Sequence, residues 1–157
     1  MNKQIIYVMV GWPGAGKTTF TNKLCEACDD VTNEHKHPLE VCIPLIIDGD
    51  TLKSSAKVVS ELKRQIKNDK SLNGLFIIDA CNTSLARRAS LIKEAKARNI
   101  PIHCYYINKP MDVCMKQAEQ READGGKHIP KVAWYTLKKA FIEPSLEEGF
   151  DKIEVLN

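Results

Sequence analysis

Nine consecutive residues, Gly11-Trp12-Pro13-Gly14-Ala15-Gly16-Lys17-Thr18-Thr19, constrain this chain more than any other stretch of it. They fit G-x-x-x-x-G-K-S/T, the phosphate-binding P-loop. The motif has meaning only between a strand and a helix. Ile5-Ile6-Tyr7-Val8-Met9-Val10 reads as a buried strand before it, and residues 17–28 are helix-forming after it. Glycines let such a loop turn tightly and approach an anion closely. Successive N–H groups at a helix N-terminus make a nest for phosphate. Gly14, Ala15, Gly16, Lys17, Thr18 and Thr19 are therefore candidate nucleotide-binding residues. Lys17 is expected to reach the β- and γ-phosphates, and the Thr18 hydroxyl to ligate Mg²⁺.

The rest of the composition sets limits. With 157 residues, 43% hydrophobic and 27% charged, one domain with a real core is expected, spanning 1–157. A net charge of +3 permits a phosphate-rich substrate without requiring one. No run approaches the ~18 apolar residues of a membrane span, so no membrane partner is expected. Met1-Asn2-Lys3-Gln4 followed by a strand does not read as a signal peptide. Six cysteines beside a P-loop fit reduced thiols and a cytoplasmic or nuclear location. Cys25 and Cys28 form a C-x-x-C followed by His35 and His37, but the spacing matches no common zinc finger. Small core residues are the plainer reading of these cysteines.

Along the chain, strands and helices alternate. Residues 29–40 read as a polar loop and 41–47 as a second strand, running into Asp48-Gly49-Asp50-Thr51. In an open α/β sheet, chemistry sits beyond the C-terminal ends of strands. Two carboxylates there are candidates for a base or a metal ligand, or for helix caps. A helix is expected over 55–67, a turn at Asn73-Gly74, and a third strand over 75–79. That strand ends in Asp79, a candidate Mg²⁺ ligand. A helix beginning near Asn82-Thr83-Ser84 carries Arg87 and Arg88 close to the expected cleft. A fourth strand spans 102–107. The following Asn108-Lys109-Pro110-Met111-Asp112 narrowly misses the guanine-reading N-K-x-D, with the Asp one position late, which excludes a regulatory GTPase. A helix over 111–122 leads to Ala123-Asp124-Gly125-Gly126-Lys127-His128. The region 111–130 is read as a lid, with Arg121 at the base of that loop and suited to meet the transferring phosphoryl group. A helix over 132–142, which Pro130 can open, and a short strand over 153–155 complete the pattern. The expected fold is a three-layer, doubly wound parallel sheet of five strands.

Several stretches resemble a known family, the 5′-kinase module of polynucleotide kinase–phosphatases. The P-loop through Phe20 is similar to that module's P-loop. Asp48-Gly49-Asp50-Thr51-Leu52 resembles its Asn-Arg-Asp-Thr-Leu, and Ile78-Asp79-Ala80-Cys81-Asn82 its Ile-Asp-Asn-Thr-Asn. Gln120-Arg121-Glu122 looks like its lid Phe-Arg-Glu. His128-Ile129-Pro130 and the segment 139–150, ending in Glu148-Gly149-Phe150, recur there. The resemblance runs nearly end to end, apart from 29–40.

It implies transfer of the γ-phosphate of ATP, with Mg²⁺, to the 5′-hydroxyl of a single-stranded DNA or RNA end, a nucleic-acid repair chemistry. Asp50 matches the family's general base, Arg121 its lid arginine, and Arg88 an arginine that touches substrate phosphate. Gly49 departs from the family's arginine, Ala80 from its asparagine or aspartate, and Gln117-Ala118-Glu119 from its asparagine and arginine. Lys53 is placed to compensate in part for the missing cation, with Arg87 beside the cleft. No phosphatase or ligase motif is present, so a separate phosphatase or ligase partner is expected. Two other readings stay open: a small-molecule kinase acting on a sugar, nucleoside or other alcohol, and a nucleotide-dependent interaction module.

Overall fold

A computed structural model describes residues 3–29, 43–69 and 73–157. Strand β1 (Lys3–Val10) leads through the P-loop into helix α1 (Lys17–Asp29). Then come β2 (Ile43–Asp48), a short α2 (Gly49–Leu52), α3 (Ser55–Asn68), β3 (Asn73–Asp79) and α4 (Leu85–Ala97). β4 (Ile102–Ile107), α5 (Met111–Ala123), α6 (Lys131–Ala140), a 3₁₀ turn at Leu146–Glu148 and β5 (Lys152–Leu156) complete the chain. The strands form one parallel sheet in the order β2-β3-β1-β4-β5.

The period of two along a strand explains the layering. Ile6, Val8 and Val10 of β1 share a core with Val58 and Leu62 of α3 and Leu91, Ile92 and Ala95 of α4. Ile5, Tyr7 and Met9 point to the opposite face, against Phe20, Leu24 and Cys25 of α1. Strands buried on both faces read as unbroken apolar runs, which is why they were visible in the sequence. Helices on both faces make the sheet doubly wound, as expected. It has the P-loop NTPase and kinase fold.

Three expectations change. Asn73 and Gly74 are not a turn. They are the first residues of β3 and pair with Lys3 and Gln4. A Cβ on Gly74 would lie 2.3 Å from the Asp69 carboxylate, so that side chain, which accepts a hydrogen bond from Gln4 at 2.9 Å, would have to shift. Gly49–Leu52, where no separate helix was expected, forms a short helix of its own. The Asp48 carboxylate caps it, accepting from the Asp50 N–H and the Thr51 hydroxyl, both at 2.9 Å. The third change concerns Arg88 and is described with the site. Cys25 packs on the α1-side core, whereas the Cys28 side chain, His35, His37 and the 30–40 part of the polar loop lie outside the described residues. Among the described residues no helix is long and apolar enough to cross a membrane.

Candidate active site

β1 lies between β3 and β4, so the chain leaving its C-terminal end opens into the crevice where the winding direction changes. The P-loop fills that position. Gly14 and Gly16 have φ of 80° and 98°, the left-handed region that glycine enters without strain. Gly14 also packs against α5, where a Cβ would come within 2.6 Å of the Cys114 carbonyl oxygen. The Gly11 N–H donates to the Cys81 carbonyl at 3.1 Å, tying the start of the loop to the segment that follows β3. Trp12 stacks on Phe141 with ring centroids 4.8 Å apart.

Lys17 is 8% exposed, and its ammonium donates to the carbonyls of Gly11 (3.1 Å) and Trp12 (2.7 Å). The Thr18 hydroxyl donates to the Asp79 carboxylate at 2.9 Å. Burial pushes the Asp79 carboxyl above its ordinary value, opposed by the Thr18 hydrogen bond and by Lys17. A partly desolvated carboxylate joined to a hydroxyl is a pair of hard oxygen donors that suits Mg²⁺, which takes few protein ligands and completes its shell with water and phosphate.

Two cavities adjoin beyond the sheet. One, of about 420 Å³, is lined by the P-loop, Asp79, Arg121 and the loop before α6. The other, of about 390 Å³, is lined by Lys53, Ser54, Ser55, Asn82, Arg87 and apolar residues of α3 and α4. Asp50 lines both. Asp48 caps α2 and Ser54 caps α3, accepting from the Lys57 N–H at 3.1 Å. The Asp50 carboxylate is thus spared the capping role that its position in sequence allowed. The structure brings together Lys17, Thr18, Asp50, Asp79 and Arg121 around the first cavity, and Lys53 and Arg87 around the second.

It does not bring Arg88 to either. Arg88 is 0% exposed, its guanidinium pairing with Glu148 at 2.7 Å and 3.2 Å and donating to the Asn82 carbonyl at 3.1 Å. An arginine enclosed this way has no face left for substrate phosphate. Its effect on the site passes through Asn82, a buried residue at φ 49° whose amide donates to the Met9 carbonyl at 2.8 Å. Glu148 was missed in the sequence, although Ser145-x-x-Glu148 carries the capping-box pattern that the 3₁₀ turn uses.

Gly49 and Ala80 are close neighbours. The register pairs Asp48 with Asp79, so residues 49 and 80 stand side by side just past the sheet. A Cβ on Gly49 would lie 2.5 Å from the Ala80 Cβ. Gly49→Ala is expected to overpack this corner and cost about 1–3 kcal/mol of stability. Ala80→Gly should restore most of it, a coupling that denaturant unfolding of both single variants and the double variant will measure.

Comparison with known proteins adds to this geometry. A family model described as an AAA domain matches residues 6–144. A bifunctional polynucleotide phosphatase/kinase of Schizosaccharomyces pombe is 26% identical over 152 residues, 96% of this chain and 33% of the relative. The chain thus spans about a third of the length of that relative. Among solved structures, Chaetomium thermophilum Kti12 in complex with ADP-AlF3 superposes with a TM-score of 0.73 at 17% identity, covering 96% of this chain and 88% of that one. Mycobacterium tuberculosis APS kinase in complex with AMPPNP and APS superposes with a TM-score of 0.60 at 16% identity, covering 99% and 90%.

Proposed function

The chain belongs to the AAA domain family, and on that premise we propose that it is a P-loop phosphotransferase, an ATP-dependent polynucleotide 5′-hydroxyl kinase. The observation that carries the reading is Asp50, a carboxylate on the boundary of a phosphate-binding cavity and a second cavity of similar size. Transfer of a phosphoryl group needs donor and acceptor to meet at one point with a proton acceptor beside it. The likeness to a polynucleotide phosphatase/kinase over 96% of the chain supports a nucleic-acid acceptor. So do Lys53 and Arg87, cations on the second cavity that fit a phosphodiester backbone.

In this reading the P-loop N–H groups and Lys17 hold the triphosphate, and Arg121 approaches it from the end of α5. The 5′-hydroxyl oxygen attacks the γ-phosphorus as Asp50 takes its proton. The bond from that phosphorus to the bridging oxygen breaks, and the electron pair leaves on ADP. An ordinary aspartate is a far weaker base than an alkoxide, so Asp50 works by aligning the hydroxyl and accepting the proton as the new bond forms. Thr18 and Asp79 would hold Mg²⁺, which neutralises charge on the β- and γ-phosphates when bound.

Asp50→Asn is expected to keep ATP affinity while lowering turnover by ~10²-fold or more. An equal loss of nucleotide affinity would instead make Asp50 a structural or metal-holding group. Transfer from γ-labelled ATP with Mg²⁺ is to be measured on a 5′-hydroxyl DNA oligomer, an RNA oligomer, a nucleoside 3′-phosphate and a pool of small alcohols. Labelled oligomer that disappears in Asp50→Asn supports the proposal. Label confined to the small alcohols supports a small-molecule kinase. Gly49 favours that second reading, because it lacks the arginine that the resembled family carries there.

A further inference from the structure

We propose that Lys127 is a catalytic residue, a cation supplied by the loop between α5 and α6 to the phosphoryl group in flight. The proposal rests on the two-cavity kinase reading above. The cations of the site divide by cavity. Lys17 and Arg121 line the phosphate cavity, Lys53 and Arg87 line the second, and Lys127 lines both. The residues common to the two are Asp50, Ala80, Cys81, Lys127 and Leu137. Two of these are charged, with opposite signs. The charged residues of the junction are therefore Asp50 and Lys127.

The loop that carries Lys127 is closed on itself. The Gly125 N–H donates to the Glu122 carbonyl at 3.0 Å and the Gly126 N–H to the Arg121 carbonyl at 2.7 Å. Gly126 is tucked so closely that a Cβ there would lie 2.6 Å from the Arg121 carbonyl oxygen. On the other side of Lys127, His128 Nδ1 meets the Glu122 carboxylate at 2.8 Å. Lys127 is thus held between two fastenings to the last turn of α5, the turn that also bears Arg121. Its own ammonium makes no ion pair among the described residues.

These placements divide the work. In the transfer described above, Asp50 receives the hydroxyl proton while negative charge spreads over the three outer oxygens of the moving group. A cation at the boundary meets that group more closely in flight than while it is still part of ATP. Such a contact raises turnover and leaves ground-state nucleotide binding almost unchanged.

Two measurements test the proposal. Lys127→Ala is expected to lower kcat by ~10²-fold with the KM for ATP unchanged, and Lys127→Arg to recover much of it. Independently of any acceptor, calorimetry will compare binding of ADP with binding of ADP plus aluminium fluoride, a planar stand-in for the moving phosphoryl. The wild-type protein should bind the fluoride complex more tightly, and Lys127→Ala should lose that increment while keeping its ADP affinity. If the wild-type protein labels none of the acceptors, the kinase reading fails and the fluoride comparison still decides the role of Lys127. The proposal is overturned by an unchanged kcat, by no fluoride increment in the wild-type protein, by an increment retained in Lys127→Ala, or by an equal loss of affinity for ADP with and without fluoride.

Discussion

Lys17→Ala is expected to eliminate phosphoryl transfer, by ~10³-fold or more, in a protein that still folds. The effect is large because Lys17 has no substitute. It is the first residue of α1, its ammonium sits inside the P-loop on two carbonyls, and the other cations of the site stand on separate elements. A triphosphate entering the loop would take over those N–H donors, and alanine supplies none. The fold should lose much less. Two loop carbonyls would be left short of a donor, a cost of about 1–3 kcal/mol if water does not reach them. Labelled-phosphate assays and thermal unfolding of the same preparation separate the two effects. Full activity in the variant would sink the P-loop reading, since no other group in the loop can replace a point charge on the β- and γ-phosphates.

The largest expected effect on stability is at Glu148. Its carboxylate is the counter-charge of Arg88, with side-chain exposures of 0% for Arg88 and 10% for Glu148, and it also accepts from the Ser145 N–H at 2.8 Å. Glu148→Ala leaves a guanidinium enclosed without its partner, which costs about 3–5 kcal/mol. That is a large fraction of what holds a domain of this size together. The exposed Arg64–Glu61 pair on α3 is the control, and its removal should barely register. Arg88→Met with Glu148→Met, which removes both charges and keeps bulk, should recover much of the loss. A Glu148→Ala protein as stable as wild type in denaturant titration would show that solvent already reaches the pair. Because Asn82 accepts from Arg88 and lines the second cavity, the same variant should also disturb that wall of the site.

Arg88 shows where reading the sequence succeeds and where it stops. Arg87 and Arg88 are chemically identical neighbours, and either could face a cleft. The helix carries a signal that separates them: Arg88, Leu91, Ile92 and Ala95 stand at i, i+3, i+4 and i+7, one buried face, with Arg87 off it. What the sequence does not carry is the partner, which lies 60 positions away on an unremarkable 3₁₀ turn. The P-loop was legible because glycine conformation, a preceding apolar strand and a following helix are all local. Asn73-Gly74 misled for the opposite reason. Its turn chemistry is local, but pairing with β1 is not, and the ladder prevailed. Asp50 could be named from its place after β2, yet its position between two cavities depends on Asp48 and Ser54 taking the caps. Lys127 had no distinguishing mark in its loop and became notable only when both cavities were seen to meet it.

The strand order has a consequence for how the chain is made. Among the described residues, β1, at the centre of the sheet, pairs with β3 and β4 and with nothing nearer in sequence. Lys3 finds its partner only at Asn73, and Ile6 its partner on the other side only at Ile102. Pairing across such separations is entropically late and slow. During synthesis from the N-terminus, the apolar Ile5–Val10 run would therefore leave the ribosome long before either neighbour exists. At a few residues per second to about 20, that run waits several seconds with both edges open. The central strand of the finished protein is thus the one most in need of protection while the protein is being born.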